Sequence, residues 1–376
     1  SGAPEIFGEL PMTCLAEEIE TPGPGQIRAL ITVAGNPVLS APGGARLAAA
    51  LESLEFMVSV DIYRNETTRH ADVILPGVSA LEDSHYDVAF PQFSFRNHAR
   101  FSGPVFEPTV PPEWQTLLRL AAIARGLGAQ ADVIALDDAL VADEVRKLAG
   151  DNAPLVLKAL GNRKGPERLV DLALRGGPYG DRFGAKPDGL TLDKVRAASE
   201  AGRGIDLGPL MPRVPEVLRT PSGKIELAPP PLLADLPRAW ADLDAAAPIL
   251  AVIGRRDVRS NNSWMHNLPL LAKGPFRGTA LVHPDDAARC GVAGGAPARM
   301  TGPGGSVEVT VELSDSLMPG VISLPHGWGH DLPGARLGLA AQRPGANLNA
   351  LLDIEARDPL SGNAVLSGAA VTLMPV

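Results

Sequence analysis

The stretches Ile27–Pro37, IRALITVAGNP, and Phe56–Pro76, FMVSVDIYRNETTRHADVILP, decide how the first half of the chain is read. IRALITV is a short apolar run rich in β-branched residues, and Ala34-Gly35-Asn36-Pro37 stops it, which is the pattern of a buried strand. FMVSVD at 56–61 is a second such run, and a third around 72–75 ends at Pro76. Residues 43–54, GGARLAAALESL, read as a helix between the first two runs. Strand, helix, strand, polar loop, strand predicts a parallel α/β sheet.

In an open sheet of this kind, ligands sit beyond the carboxyl ends of the strands. Gly35 there would let a phosphate approach the backbone, and Asp61, ending the second run, is placed to accept bonds from a ribose or a purine edge. Without a GxGxxG pattern, the residues alone favour Gly35-Asn36-Pro37 as a plain turn and Asp61 as a strand cap. The loop Arg64–His70 followed by Asp72 offers donors of several kinds, or is a solvated connection.

Outward from these runs, residues 77–112 are irregular and rich in aromatics. Apolar residues at three- and four-residue spacing predict a helix over 114–127, with further helices at 137–149, 153–160, 166–175 and 191–201. Residues 202–248 are rich in Gly and Pro and contain Pro229-Pro230-Pro231, which places a boundary near 240. From 248 the runs ILAVIG, TALVHP, PARMTG, SVEVTVEL, GVISLP and AAVTLMPV alternate with turn residues. Short strands so spaced predict an all-β barrel or sandwich, with a short helix at 284–290. The expected fold class is therefore α/β plus all-β. An α/β domain at 1–240, with a helical elaboration at about 112–200 and a linker, precedes a β-barrel domain at 248–376.

Composition narrows the function. A length of 376 residues suits two domains with a sizeable core. The formal net charge of -9 argues against nucleic-acid binding by bulk charge. Only two cysteines, Cys14 and Cys290, rule out a disulfide framework and any self-contained iron–sulfur or Cys-rich zinc site, and both read as packing thiols. No apolar run approaches the roughly 18–20 residues that span a bilayer. The start, SGAPEIFGELP, carries neither an initiator Met nor a signal-peptide pattern, so a cytoplasmic location is expected. The sequons at Asn65 and Asn261 are read as chance matches.

The densest polar cluster is Gly254–Asn267, GRRDVRSNNSWMHN, directly after the strand ILAVIG. Arginine clamps phosphates, and asparagine reads the mixed donor–acceptor edge of a heterocycle. Trp and Met among such residues favour a binding loop over a solvated one. His326-Gly-Trp-Gly-His330 has metal-pair spacing, but two intervening glycines argue against a helix that would place both rings on one face. A His or Trp facing a ligand is the better reading there. Gly345–Asn349 is a polar loop that alone means little.

These pieces, in this order, resemble the C-terminal half of the molybdopterin-guanine-dinucleotide oxidoreductases, which include formate dehydrogenases, nitrate reductases and dimethyl sulfoxide reductases. The resemblance lies in AGNPVLS (34–40), MVSVDIYRNETTRHADVILP (57–76), RTPSGKIEL (219–227), IGRRDVRSNNSWMHN (253–267), VHPDDAARCGVAGG (282–295), LPHGWGH (324–330) and GANLNALL (345–352). It implies a dinucleotide-binding parallel-sheet domain and a C-terminal barrel of double-psi type. It implies that Gly35 and Asn36 approach the dinucleotide phosphates, and that Asp61 and Thr67 face a guanosine with Asp72 nearby. Gly254, Arg255, Asn261, Ser263, Trp264 and His266 would contact a pterin or its phosphates, and His326, Trp328, Asn347 and Asn349 would complete that wall.

The implied cofactor is molybdopterin guanine dinucleotide with molybdenum or tungsten. The family's cysteine-rich motif for a [4Fe–4S] cluster and its metal-ligating residue lie upstream of the matched segments, and Cys14 does not fit that place. The chain is accordingly expected to be the C-terminal part of a longer enzyme, with no catalytic or metal-ligating residue of its own and inactive alone. Its expected partners are the N-terminal part of the same polypeptide, a small-molecule substrate and an electron-transfer protein. Two other readings stay open. One is a cofactor-less scaffold subunit of a respiratory complex; the other is an unrelated nucleotide-binding α/β enzyme.

Overall fold

The computed structural model describes residues 2–376. The apolar runs of the opening stretch form β1 (Ala29–Val33), β2 (Phe56–Val60) and β3 (Val73–Leu75), paired parallel in the order β1-β2-β3. Helix α1 (Leu15–Glu20) precedes them. Between β1 and β2 the expected single helix is two: α2 (Pro37–Ser40), opened by Pro37 at its first position, and α3 (Gly44–Leu51), begun after the left-handed Gly43. Ala16, Ile19, Val38, Leu47, Leu51 and Met57 form the core on this side.

Residues 77–225 form a compact unit of their own. It holds β4 (His85–Tyr86) paired with β6 (Phe101–Ser102), and β5 (Arg96–Ala99) paired with β7 (Ile205–Pro209). Its helices are α4 (Glu113–Ala124), α5 (Val133–Ala149), α6 (Ala153–Leu160), α7 (Gly165–Gly176) and α8 (Leu192–Glu200), close to the stretches that apolar spacing marks. The fully buried Asp171 accepts from Arg175 Nε at 3.0 Å and from the Leu192 backbone N–H at 2.8 Å, so this helical unit is tied internally by a satisfied buried charge.

The Pro-rich boundary is itself helical. α9 (Pro230–Asp244) starts on two of the three prolines, which fit the first turn because their missing N–H groups have no intrahelical acceptor there. Beyond it, β8 (Ala251–Arg255), β9 (Ala280–Val282), β10 (Pro297–Gly302), β11 (Gly305–Leu313), β12 (Val321–Pro325), β13 (Ala369–Ala370) and β14 (Thr372–Pro375) form one sheet ordered β13-β8-β12-β9-β11-β10-β14. β8–β12 and β9–β11 are parallel pairs, and the remaining pairs are antiparallel. The two edge strands are separated in sequence only by Val371, so the sheet curls into a nearly closed barrel. Val252, Ala280, Val282, Met300, Ile322 and Leu324 fill its inside. α10 (Pro284–Cys290) begins where His283 Nδ1 accepts from the Asp285 N–H at 3.2 Å.

The partition by contact differs from a division at 240–248. Ser1–Pro76 and Glu226–Val376 make one unit that contains both the parallel sheet and the barrel, and Gly77–Ile225 makes the other. Composition marks a breaker-rich stretch; which distant segments bury each other's apolar faces depends on contacts that composition does not record.

Candidate functional site

The carboxyl ends of β1 and β2 and the loop after β8 meet at a narrow cleft of about 20 Å³, lined by Gly35, Asn36, Asp61, Asn65, Ser263 and Trp264 among others. That volume admits a water-sized group, so the cleft grips at most the edge of a larger ligand. Asp61 is buried, and its carboxylate accepts from the Tyr63 N–H at 2.9 Å and from Asn65 Nδ2 at 3.0 Å. Burial pushes its pKa above the usual carboxylate range despite these bonds. Trp264 keeps 38% of its surface exposed, enough to offer a ring face.

Behind this cleft lies a chain of polar side chains, all buried except the half-buried Asn36. Thr67 Oγ1 donates to Asn36 Oδ1 at 2.8 Å, and Asn36 Nδ2 donates to Glu66 Oε2 at 2.7 Å. Glu66 Oε1 lies 2.9 Å from His330 Nδ1, His330 Nε2 lies 2.9 Å from His266 Nδ1, and His266 Nε2 lies 2.7 Å from Ser260 Oγ. Burial pushes the Glu66 carboxyl up, but the bonds from His330 and Asn36 outweigh it and hold it below its ordinary value. Burial, reinforced by His330, lowers His266 to about 4, so its imidazole is neutral at neutral pH.

His266 stacks on Trp328 with ring centroids 3.9 Å apart, and Phe276 meets the indole edge-on at 5.2 Å. Trp328 is 9% exposed, and its buried Nε1 has no hydrogen-bond partner. Ser260, His266, Phe276 and Trp328 line a second cavity of about 270 Å³ together with Arg259 and Arg343. Gly327 makes this packing possible. Its φ is +89°, and a Cβ there would stand 2.0 Å from the Asn262 carbonyl oxygen. Gly327, one of the two glycines that break helical spacing in HGWGH, is thus required by close backbone approach.

Several sequence-marked residues do other work. Thr67, expected to face a nucleoside, is fully buried, and its hydroxyl also accepts from the Val38 N–H at 3.0 Å. Asp72 lies at the start of β3, and its Oδ2 accepts from the Met57 N–H at 2.7 Å at the start of β2. In a parallel sheet that is the end opposite Gly35 and Asp61. Arg255, expected at a pterin or phosphate, donates instead to the carbonyls of Ser323 and Thr279, both at 2.9 Å, and so ties strands of the barrel together.

Asn349 is 2% exposed and donates to the Leu39 carbonyl at 2.9 Å, joining the barrel to α2 rather than forming a binding wall. Asn347 caps the following turn, accepting from the Asn349 N–H at 2.9 Å. The Asn36 side chain is likewise consumed internally, which leaves its backbone to face the cleft. Asn261 is an exposed turn residue at φ 39°, Gly254 lies on β8 beneath Leu348, and burial lowers the half-buried His326 below its ordinary value. Ser263 and Trp264 reach the cleft, and His266 and Trp328 reach the cavity.

Sequence reasoning missed Glu66, His330 and Ser260 as members of one network. Ser260 lies in the polar loop 254–267 and His330 in HGWGH, both marked in the sequence, whereas Glu66 carries only a faint local signal as a carboxylate beside a Thr-Thr pair. Among the described residues no group of three or more His, Cys, Asp or Glu side chains is placed to hold a metal ion. None of the helices described is long and apolar enough to cross a membrane.

A molybdopterin oxidoreductase family model matches residues 6–107, and a molydopterin dinucleotide binding domain model matches residues 250–370. A Halobacterium salinarum protein, named for the catalytic subunit of a dimethyl sulfoxide reductase, is 27% identical over 295 residues, covering 74% of this chain and 30% of that protein. The assimilatory nitrate reductase catalytic subunit of Bacillus subtilis is 40% identical over 67 residues, covering 18% of this chain and 9% of that one. The solved structure of acetylene hydratase from Pelobacter acetylenicus superposes with a TM-score of 0.62 at 18% identity, covering 97% of this chain and 46% of that one. The chain therefore spans less than half the length of each of these proteins.

Proposed function

The chain belongs to the molybdopterin oxidoreductase family, and from that premise we propose that it forms the dinucleotide-holding part of a larger molybdenum enzyme, or of a tungsten one. One observation carries the reading: Gly35, Asn36 and Asp61, from the segment matched by one family model, line the same cleft as Ser263 and Trp264, from the segment matched by the other. The donor set suits molybdopterin guanine dinucleotide. Asp61 accepts N–H groups of a purine edge, the Gly35 and Asn36 backbone meets phosphate, and Ser263 and Trp264 supply a hydroxyl and a ring face. The unpartnered indole N–H of Trp328 is one further buried donor awaiting an acceptor.

When bound, the cofactor supplies the two-electron redox centre; the residues of this chain bind it, orient it and exclude water. On this reading the metal ligand and the [4Fe–4S] cluster belong to an upstream part of the same polypeptide. Substrate and electron-transfer partner are met by the whole enzyme, which works in the cytoplasm, and this chain alone is inactive. The double-psi crossing of the barrel strands belongs to the same proposal. Metal and pterin analysis of the full-length protein tests it. Molybdenum or tungsten together with pterin is the expected result. A well-folded sample containing neither overturns the proposal in favour of a scaffold role, and turnover of a nicotinamide or nucleoside substrate by the isolated chain overturns it in favour of an unrelated enzyme.

A further inference from the structure

Glu66, His330, His266 and Ser260 are linked end to end at 2.9, 2.9 and 2.7 Å, and all four are buried, at 0%, 2%, 7% and 4% exposure. Only Ser260 and His266 also line the 270 Å³ cavity. We propose that these four side chains form a proton relay whose cavity end is Ser260 Oγ and whose far end is the Glu66 carboxylate, able to take a proton from an O–H or N–H acid bound in the cavity. The inference goes beyond the cofactor assignment and does not depend on it.

Counting protons fixes the direction of every link. An ionised carboxylate only accepts, so His330 Nδ1 must donate to Glu66. With one proton on each ring, His330 Nε2 then accepts from His266 Nδ1, and His266 Nε2 accepts from the Ser260 hydroxyl. One added proton reverses the two links on the cavity side, His330–His266 and His266–Ser260, and leaves the His330–Glu66 link as it was. The O–H or N–H bond of the ligand breaks as Ser260 Oγ gains its proton, and the Ser260 proton passes to His266 Nε2. The His266 Nδ1 proton passes to His330 Nε2. The ligand is left as its conjugate base and His330 as an imidazolium against Glu66, with no oxidant or reductant involved.

His266 is neutral in both states and changes only its tautomer. That agrees with its burial, which disfavours a charge on this ring. The charged groups facing it are Glu66 and Asp257, which favour a positive ring, and His330, which opposes one. Arg259, Lys273, Arg277 and Arg343 line the same cavity against the single carboxylate of Asp257, so the conjugate base of the ligand is held by positive charge. Ser260 would touch the ligand; His330 and Glu66 act through His266 and are positioning residues.

The test uses the chain labelled with ¹⁵N-histidine, with the ring nitrogens followed from pH 8 to pH 5. Over this range His266 is expected to move its proton from Nδ1 to Nε2 in a single transition while its ring stays neutral. Glu66→Gln is expected to lower the midpoint of that tautomer swap by one pH unit or more. A His266 tautomer that stays fixed through the transition overturns the relay, and the wild-type titration decides this even if the variant fails to fold. The cavity end is probed with 4-nitrophenol, a planar O–H acid whose phenolate absorbs in the visible. At pH 6 the wild-type chain is expected to ionise at least threefold more of it than Ser260→Ala does; equal ionisation removes Ser260 from the relay.

Discussion

Glu66 and His330 lie 264 positions apart in the chain and meet at 2.9 Å, both side chains wholly removed from solvent. One follows the second strand of the parallel sheet, and the other follows a strand of the barrel, so the contact joins the two halves of the candidate site. A buried carboxylate and its partner contribute little net stability as a pair, but removing one leaves the other stranded in a low dielectric. Glu66→Ala is therefore expected to cost about 3–5 kcal/mol, read from urea denaturation. Arg28→Ala, which removes an exposed ion pair with Glu55, is expected to leave the midpoint unchanged.

Acid should weaken the fold through the same cluster. His266 titrates at about 4 when folded, against an ordinary 6.5. Between these values the unfolded chain binds a proton that the folded chain refuses, so stability rises with pH there. The contribution is complete above pH 6.5 and is lost as pH falls toward 4, a total of about 3 kcal/mol. Glu66, held below its ordinary value, acts in the same direction at the acid end. Denaturant curves at stepped pH should show this slope, and His266→Phe should flatten it.

Asn349→Leu removes the donor to the Leu39 carbonyl and leaves that buried oxygen without this partner. A loss of about 1–3 kcal/mol is expected, measurable as a lowered Tm.

Gly327→Ala places a methyl group 2.0 Å from the Asn262 carbonyl at a φ of +89°. Overpacking and left-handed strain together predict a cost of about 2–4 kcal/mol. The displacement should also disturb the stacking of Trp328 on His266, seen as a change in indole fluorescence. Gly338→Ala, with nothing within 4 Å of the added carbon, is the matched control.

Trp264→Ala removes the exposed ring face at the cleft. If that face stacks on the base of the dinucleotide, the full-length enzyme should retain cofactor about tenfold less tightly, at a stacking contribution of about 1–3 kcal/mol. Release of pterin during dialysis reads the difference, and unchanged retention assigns Trp264 a different role.

Much of the fold was readable because its signals are local. IRALITV, FMVSVD and the short barrel strands carry their apolar periodicity and their breakers within a few residues, and the helices of 113–200 carry theirs in three- and four-residue spacing. The α9 helix was not readable, because three consecutive prolines mark a break and a helix start alike. The site was readable only in part. Asp61, Ser263, Trp264, His266 and Trp328 stand where a ligand could meet them. Thr67, Arg255 and Asn349 have the same chemistry yet spend it on carbonyls and amides inside the protein. Residue type gives a donor's capacity; which partner consumes it is settled by segments far away in sequence.

By itself, the amino-acid order determined the strands, the helices and the residue types able to bind a dinucleotide, since propensity and polarity act over short spans. The tertiary structure alone decided that the parallel sheet and the barrel share one compact unit. It also decided that Glu66, His330, His266 and Ser260 stand in line. Burial and hydrogen bonding between segments more than two hundred residues apart depend on the closed packing of both sheets, and that packing exists only in the folded chain.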